Sequence, residues 1–126
     1  IFFGRSLGSA VAVELALNEK CRALILETPF TSILEMGKKL YPFLPVSLLL
    51  KTKYDSLAKI RNIKVPILVM HGDKDALVPF EHGKRLYDMA NEPKEFYTIP
   101  GAGHNDTHIV GGDEYFDVIK RFVNKL

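Results

Sequence analysis

A chain of 126 residues with a formal net charge of +2 is long enough for one domain with its own core, and too nearly neutral to favour nucleic acid as a partner. With 47% hydrophobic and 25% charged residues its composition is that of a globular domain, and no apolar run approaches the ~18 residues of a membrane-spanning helix. Cys21 is the single cysteine, which excludes an intramolecular disulfide and a thiol metal cluster and is compatible with a cytoplasmic compartment without identifying one.

Short apolar runs alternate with longer helical patterns, which predicts an α/β fold with a mostly parallel sheet of about four strands and flanking helices, residues 1–126 forming one domain. Ile1–Phe3 reads as the end of a first strand. Ser9–Asn18, apolar on nearly every side through Ala10, Val11, Val13, Leu15 and Leu17, reads as a helix packed closely on the sheet. The runs Ala23–Glu27 and Val65–Met70 have the continuous apolar character of strands buried on both faces. Between Glu27 and Ile60, Pro29, Pro42 and Pro45 interrupt a stretch rich in Leu, Phe and Tyr, and residues 31–53 read as a short helical excursion or lid over the sheet. Pro79 ends a loop before a predicted helix over Phe80–Ala90, with Leu86, Met89 and Ala90 on one face, and Glu95–Ile99 is the fourth strand. In the last helix Tyr115, Val118, Ile119, Phe122, Val123 and Leu126 recur at the spacing of a stripe facing a core.

The chemistry begins at Gly4-Arg5-Ser6-Leu7-Gly8, a Gly-x-Ser-x-Gly signature placed between a strand and an apolar helix. A serine hydroxyl is a weak nucleophile unless it is held clear of the backbone, given a base and faced with donors for the oxyanion it creates. On a sharp strand-to-helix turn the residues two before and two after the serine are small so that the helix passes close to the strand, here Gly4 and Gly8. The Leu7 N–H then points at the oxyanion from the positive end of the helix.

Of the histidines that could act as base, His104 stands in the glycine-rich "IPGAGHND" just after the fourth strand. His71 closes a buried strand and reads as structural, and His82 and His108 read as surface residues. His71 and His104 are not paired with a Cys or carboxylate at a metal-ligand spacing, so no metal is assigned and no cofactor is expected. For the carboxylate that orients the base, "MHGDKDALVP" offers Asp75, deeper in the loop, and Asp73, placed to cap turn amides. Glu27, at the end of the second strand, is the rival.

Taken in order, "GRSLG", "HGDKDALVP" and "GAGHND" resemble the nucleophile elbow, acid loop and histidine loop of α/β-hydrolase-fold serine hydrolases, most nearly the α/β-hydrolase-domain-containing branch that includes protein depalmitoylases. The resemblance runs from Gly4 to the final helix. It implies Ser6 as nucleophile, His104 as base, Asp75 as orienting acid and the Leu7 N–H as one oxyanion donor. It also implies hydrolysis of carboxylic esters or acyl thioesters through an acyl-enzyme, on a small-molecule or acylated substrate, and leaves peripheral contact with a membrane open. The alternatives are a prolyl-oligopeptidase-like peptidase and a non-catalytic binding scaffold; haloalkane dehalogenases share the fold but use a carboxylate nucleophile. Members of the family carry the first half of the sheet upstream, with the loop that gives a second oxyanion N–H. The chain therefore reads as the C-terminal half of such a fold, expected to need its missing half or to self-associate. The stretch "LYPFLPVSLLL", Leu40–Leu50, reads either as the lining of an acyl pocket or as a cover for the core.

Overall fold

Four short strands lie side by side in chain order and all run parallel, a topology that forces every connection to cross back over a face of the sheet. The computed structural model describes residues 1–40, 43 and 55–126. Their elements are β1 (Phe2–Arg5), α1 (Leu7–Asn18), β2 (Leu24–Glu27), α2 (Ile33–Leu40), α3 (Ser56–Ile60), β3 (Ile67–Gly72), α4 (Phe80–Met89), β4 (Lys94–Ile99) and α5 (Thr107–Asn124). The register runs Gly4↔Leu26, Leu26↔Val69 and Val69↔Phe96, so the C-terminal ends of the strands meet along one edge.

The two-residue period of a strand sends successive side chains to opposite faces, and here both faces are covered. Leu24, Leu26, Ile67 and Val69 pack on one side with Ala12, Val13, Ile60, Ile63 and Leu86, beneath α1, α3 and α4. Ile25, Leu68 and Met70 pack on the other with Ile99, Ala102, Tyr115, Val118 and Phe122, beneath α5. This double burial is why β2 and β3 are continuous apolar runs. The stripe expected on the last helix faces that second cluster, with Ile119, Val123 and Leu126 at its margin.

Several boundaries differ from the sequence expectation. β3 begins at Ile67, after Pro66, which has no N–H to give to a ladder. It continues through His71 and Gly72 because β4 pairs with it as far as Thr98 and Ile99. α1 starts two residues early, at Leu7. Its Val11 and Leu15 are exposed, so the helix is not buried on nearly every side. Leu86 on α4 and Ala90, the capping residue just past it, are buried, but Met89 is exposed, so the three do not share one buried face. The fourth strand starts at Lys94 and the last helix at Thr107, with a break at Gly112. Of the expected excursion, α2 and Phe43 are described; residues 41 and 42 and 44–54, Pro42 and Pro45 among them, lie outside the described residues.

Candidate active site

Ser6 is the single residue between β1 and α1, and its backbone is strained at φ 51°, ψ −118°, a region that non-glycine residues occupy at a cost of about 1–3 kcal/mol. The conformation is held from both sides. Ser6 N–H donates to the Glu27 carbonyl at 2.9 Å, and the Ser6 carbonyl accepts from Ser9 N–H at 3.0 Å and from the Ser9 hydroxyl.

The close approach behind this turn rests on Gly4. A Cβ there would lie 2.4 Å from the Gly8 carbonyl oxygen, 2.6 Å from Ser9 Cα and 2.8 Å from Ala12 Cβ. The same role expected of Gly8 is not found: a Cβ there would meet no atom within 4 Å, because that side of α1 faces away from β1. Gly4→Ala should therefore destabilise the protein by about 1–3 kcal/mol through overpacking. Gly8→Ala, at an unstrained position early in a helix, should be neutral or slightly stabilising. Equal denaturation midpoints for the two variants would contradict this account.

His104, in the loop after β4, connects the other two candidate residues. Its Nε2 lies 3.0 Å from Ser6 Oγ and its Nδ1 lies 2.8 Å from Asp75 Oδ2. An ionised carboxylate only accepts, so Nδ1 carries the hydrogen and Nε2 offers its lone pair to the serine hydroxyl. Asp75, in the loop after β3, is fixed by an Asx-type turn in which Oδ1 accepts from Leu77 N–H at 2.9 Å and Val78 N–H at 2.8 Å. Burial works to raise the Asp75 carboxyl, but the donors His71, His104 and Val78 outweigh it and hold the group down to about 2.

That depression has a stability consequence. The folded value lies below the carboxyl's ordinary 3.8, so the contribution is fully present above about pH 4 and is lost as pH falls towards 2. Its size is on the order of 2 kcal/mol, since each tenfold change in proton affinity corresponds to about 1.4 kcal/mol. Urea unfolding of the parent and of Asp75→Asn across this range should show the stability difference between them shrinking as pH drops; a constant difference would contradict it.

The remaining candidates fall elsewhere. Asp73 caps the turn after β4, accepting from Gly101 N–H at 2.7 Å. Glu27 is buried and accepts from Tyr115 OH at 3.1 Å and from the Thr107 hydroxyl, with Arg5 Nε at 3.5 Å; it meets no histidine ring among the described residues. His71 is fully buried and stands behind Asp75. Its Nε2–H faces the Val78 carbonyl at 3.0 Å and Asp75 Oδ2 at 3.4 Å, a contact the sequence reading missed although His71 precedes Asp75 by one helical-type spacing of four. His108 is exposed. His82 is not a surface residue: it is 7% exposed, because α4 turns it under the loop after β2, where its Nδ1 accepts from Thr31 N–H at 3.2 Å. Burial pushes this imidazole below its ordinary value. Among the described residues no three His, Cys, Asp or Glu side chains are grouped as a metal would require, and no helix is long and apolar enough to cross a membrane.

Beside Ser6 and Leu7 lies a cavity of about 280 Å³ lined by Phe30, Ile33, Met36, Gly37, Leu77 and Val78. Its apolar wall comes from the loop after β2 and from α2. The spacing of Phe30, Ile33 and Met36 was the available signal for it. Leu7 N–H belongs to the first turn of α1, where amides have no acceptor within the helix and can face an anion.

The family described as serine aminopeptidase, S33, matches residues 46–108, half of the chain. An uncharacterized protein of Mycobacterium tuberculosis is 43% identical over 98% of the chain, and alpha/beta hydrolase domain-containing protein 17B of Homo sapiens is 33% identical over 99% of it. The chain spans 44% and 41% of the lengths of these relatives. A Pyrococcus furiosus esterase superposes over 98% of this chain and 52% of its own, with a TM-score of 0.76 at 22% identity. The esterase domain of a Rhodothermus marinus protein does so over 94% and 58%, with a TM-score of 0.70 at 21% identity. With its four parallel strands arranged as in those solved folds and the family matched across both the Asp75 and His104 loops, the chain belongs to the α/β-hydrolase family described as serine aminopeptidase, S33.

Proposed function

We propose that the protein is a serine hydrolase that cleaves carboxylic esters or acyl thioesters, with Ser6 as nucleophile, His104 as general base and Asp75 as orienting acid. The observation that carries this reading is the continuous hydrogen-bonded line from Ser6 Oγ through His104 to Asp75, with separations of 3.0 and 2.8 Å. As Oγ attacks the substrate carbonyl carbon, His104 Nε2 takes its proton and Asp75 stabilises the imidazolium. The carbonyl π electrons move onto oxygen, where the Leu7 N–H and the N-terminal end of α1 face the developing charge. Collapse breaks the bond to the leaving group, which receives the proton from His104 and departs, leaving an acyl-Ser6. A water molecule, deprotonated by His104, repeats the sequence and releases the acid.

The apolar cavity beside Ser6 supports an acyl chain as the group held there. The same steps would cleave a peptide bond, which the aminopeptidase in the family description brings forward as a second reading. The apolar lining from Phe30, Ile33, Met36, Leu77 and Val78 is what favours the ester reading.

Labelling of the full-length protein with a fluorophosphonate, followed by turnover of p-nitrophenyl esters, acyl thioesters and aminoacyl amides, tests the proposal. Covalent modification at Ser6 with preference for the acyl esters is expected. A folded protein that does not label would favour the non-catalytic scaffold, and preference for the amides would favour the peptidase.

A further inference from the structure

The buried Glu27 carboxylate is 2% exposed and stands at the end of β2, one strand away from Ser6. Its surroundings tie together two parts of the chain nearly a hundred residues apart. Its backbone carbonyl accepts from Ser6 N–H at 2.9 Å. Its side chain accepts from the hydroxyls of Thr107 and Tyr115 on α5, the helix that follows the His104 loop. Burial and the Glu27 charge hold the Tyr115 hydroxyl above its ordinary range, so it remains a donor. The same carboxylate faces Arg5 Nε at 3.5 Å, and Arg5 Nη2 in turn donates to the backbone carbonyl of His104 itself and to Asn105 Oδ1 at 3.2 Å.

Arg5 is the residue immediately before Ser6, so the strand that presents the serine also grips the backbone of His104. The His104 loop needs such a grip. It contains Gly101 at φ +77° and Gly103, positions with wide conformational freedom. Its other backbone anchors, Gly101 N–H to Asp73, Lys74 N–H to the Ala102 carbonyl at 3.0 Å and Gly103 N–H to Asp106, lead to the segment after β3 and back into the loop rather than to β1, while the imidazole ring itself meets Asp75 and Ser6. Arg5 is partly exposed at 39%, and without a partner its long side chain would sample many rotamers; Glu27 holds one of them.

We infer that Arg5 and Glu27 are positioning residues that brace the His104 loop against the Ser6 turn and so set the separation between the serine hydroxyl and the imidazole. This rests on the reading of Ser6 and His104 as nucleophile and base. Neither residue touches the reacting atoms; they act through the backbone of the two that do. A displacement on the order of 1 Å in such a pair is enough to cost about 10²-fold in rate.

The test compares Arg5→Gln, Arg5→Lys, Glu27→Gln and the double variant Arg5→Gln/Glu27→Gln in the full-length protein, reading kcat, KM, the rate of fluorophosphonate labelling at Ser6 and the thermal midpoint. Arg5→Gln should lower kcat and the labelling rate about 10- to 100-fold with KM within about twofold and the midpoint nearly unmoved. Arg5→Lys should recover only part of the loss, because an ammonium cannot span the His104 carbonyl and the Glu27 carboxylate as a guanidinium fork does. The double variant should be no slower than the slower single one, since the two act as one unit. Unchanged kcat in Arg5→Gln, multiplicative losses in the double variant, or losses that follow the midpoint would overturn the brace. Should Glu27→Gln not fold, Arg5→Gln alone, at a partly exposed side chain, decides the matter. Failure of the parent protein to label at Ser6 overturns the nucleophile reading and the brace with it; labelling of the parent at a rate equal to that of Arg5→Gln overturns the brace alone.

Discussion

Ser6→Ala and His104→Ala, separately or together, should each lower the kcat of ester hydrolysis in the full-length protein by about 10⁶-fold. The equality follows from the geometry. Ser6 Oγ lies 3.0 Å from His104 Nε2, and in the proposed mechanism it gives its proton to that nitrogen, so the hydroxyl without the ring is a neutral alcohol and the ring without the hydroxyl has nothing to activate. Removing either abolishes the same step, and removing both abolishes it only once. What remains is binding and oxyanion stabilisation, so a residual rate of about 10³–10⁴ over water is expected in all three variants. Steady-state turnover with the double variant as reference checks this. A His104→Ala protein that retained near-normal turnover would remove His104 as the base, and a double variant far slower than either single one would show that the two act in different steps.

The parts of this molecule that were legible in its sequence are those whose cause is local or periodic. β2 and β3 are buried on both faces, and that environment favours apolar residues, so Leu24–Leu26 and Ile67–Met70 stand out as uninterrupted runs, with polar Glu27 and His71 only towards the strand ends. Helix α5 covers one face of the sheet and exposes the other side, which leaves the stripe from Tyr115 to Leu126. The Gly-x-Ser-x-Gly turn and the glycine-rich loop around His104 announce themselves through composition at strand ends.

What was not legible depends on which distant segment closes over a residue. His82 lies on a helix whose sequence is largely polar, and only the loop carrying Thr31, 51 positions away, makes it a buried acceptor. β3 extends past Met70 because β4 supplies partners to Gly72, information that is absent from the β3 segment itself. Gly8 reads as a packing glycine by its place in the motif, yet the contact at this turn is made by Gly4 against the backbone of α1. Arg5, an ordinary charged residue in a strand end, acquires its meaning from the His104 carbonyl 99 positions later.

Asp75→Asn should lower turnover by about 10⁴-fold, far more than the same change at Glu27 or Asp73. The three carboxylates all stand near the C-terminal edge of the sheet, and sequence alone leaves each able to orient a histidine there. Their partners separate them. Asp75 Oδ2 lies 2.8 Å from His104 Nδ1 and thereby places the hydrogen on that nitrogen, leaving Nε2 free for Ser6. An asparagine in this position keeps the volume and the Oδ1 bonds from Leu77 and Val78 N–H, but it can turn an N–H towards Nδ1. The ring then carries its hydrogen on Nε2, the wrong tautomer for taking a proton from serine. Glu27→Gln leaves the tautomer alone and acts on the His104 loop indirectly, through Arg5 and through Thr107 and Tyr115 on α5, so about 10- to 100-fold is expected. Asp73→Asn still presents a side-chain oxygen to Gly101 N–H, and a loss of less than about tenfold is expected there. Folded-state checks by circular dichroism and kcat for all three variants give the ranking. If Glu27→Gln proved the slowest, Glu27 rather than Asp75 would have to be the acid, and the 2.8 Å contact would be structural.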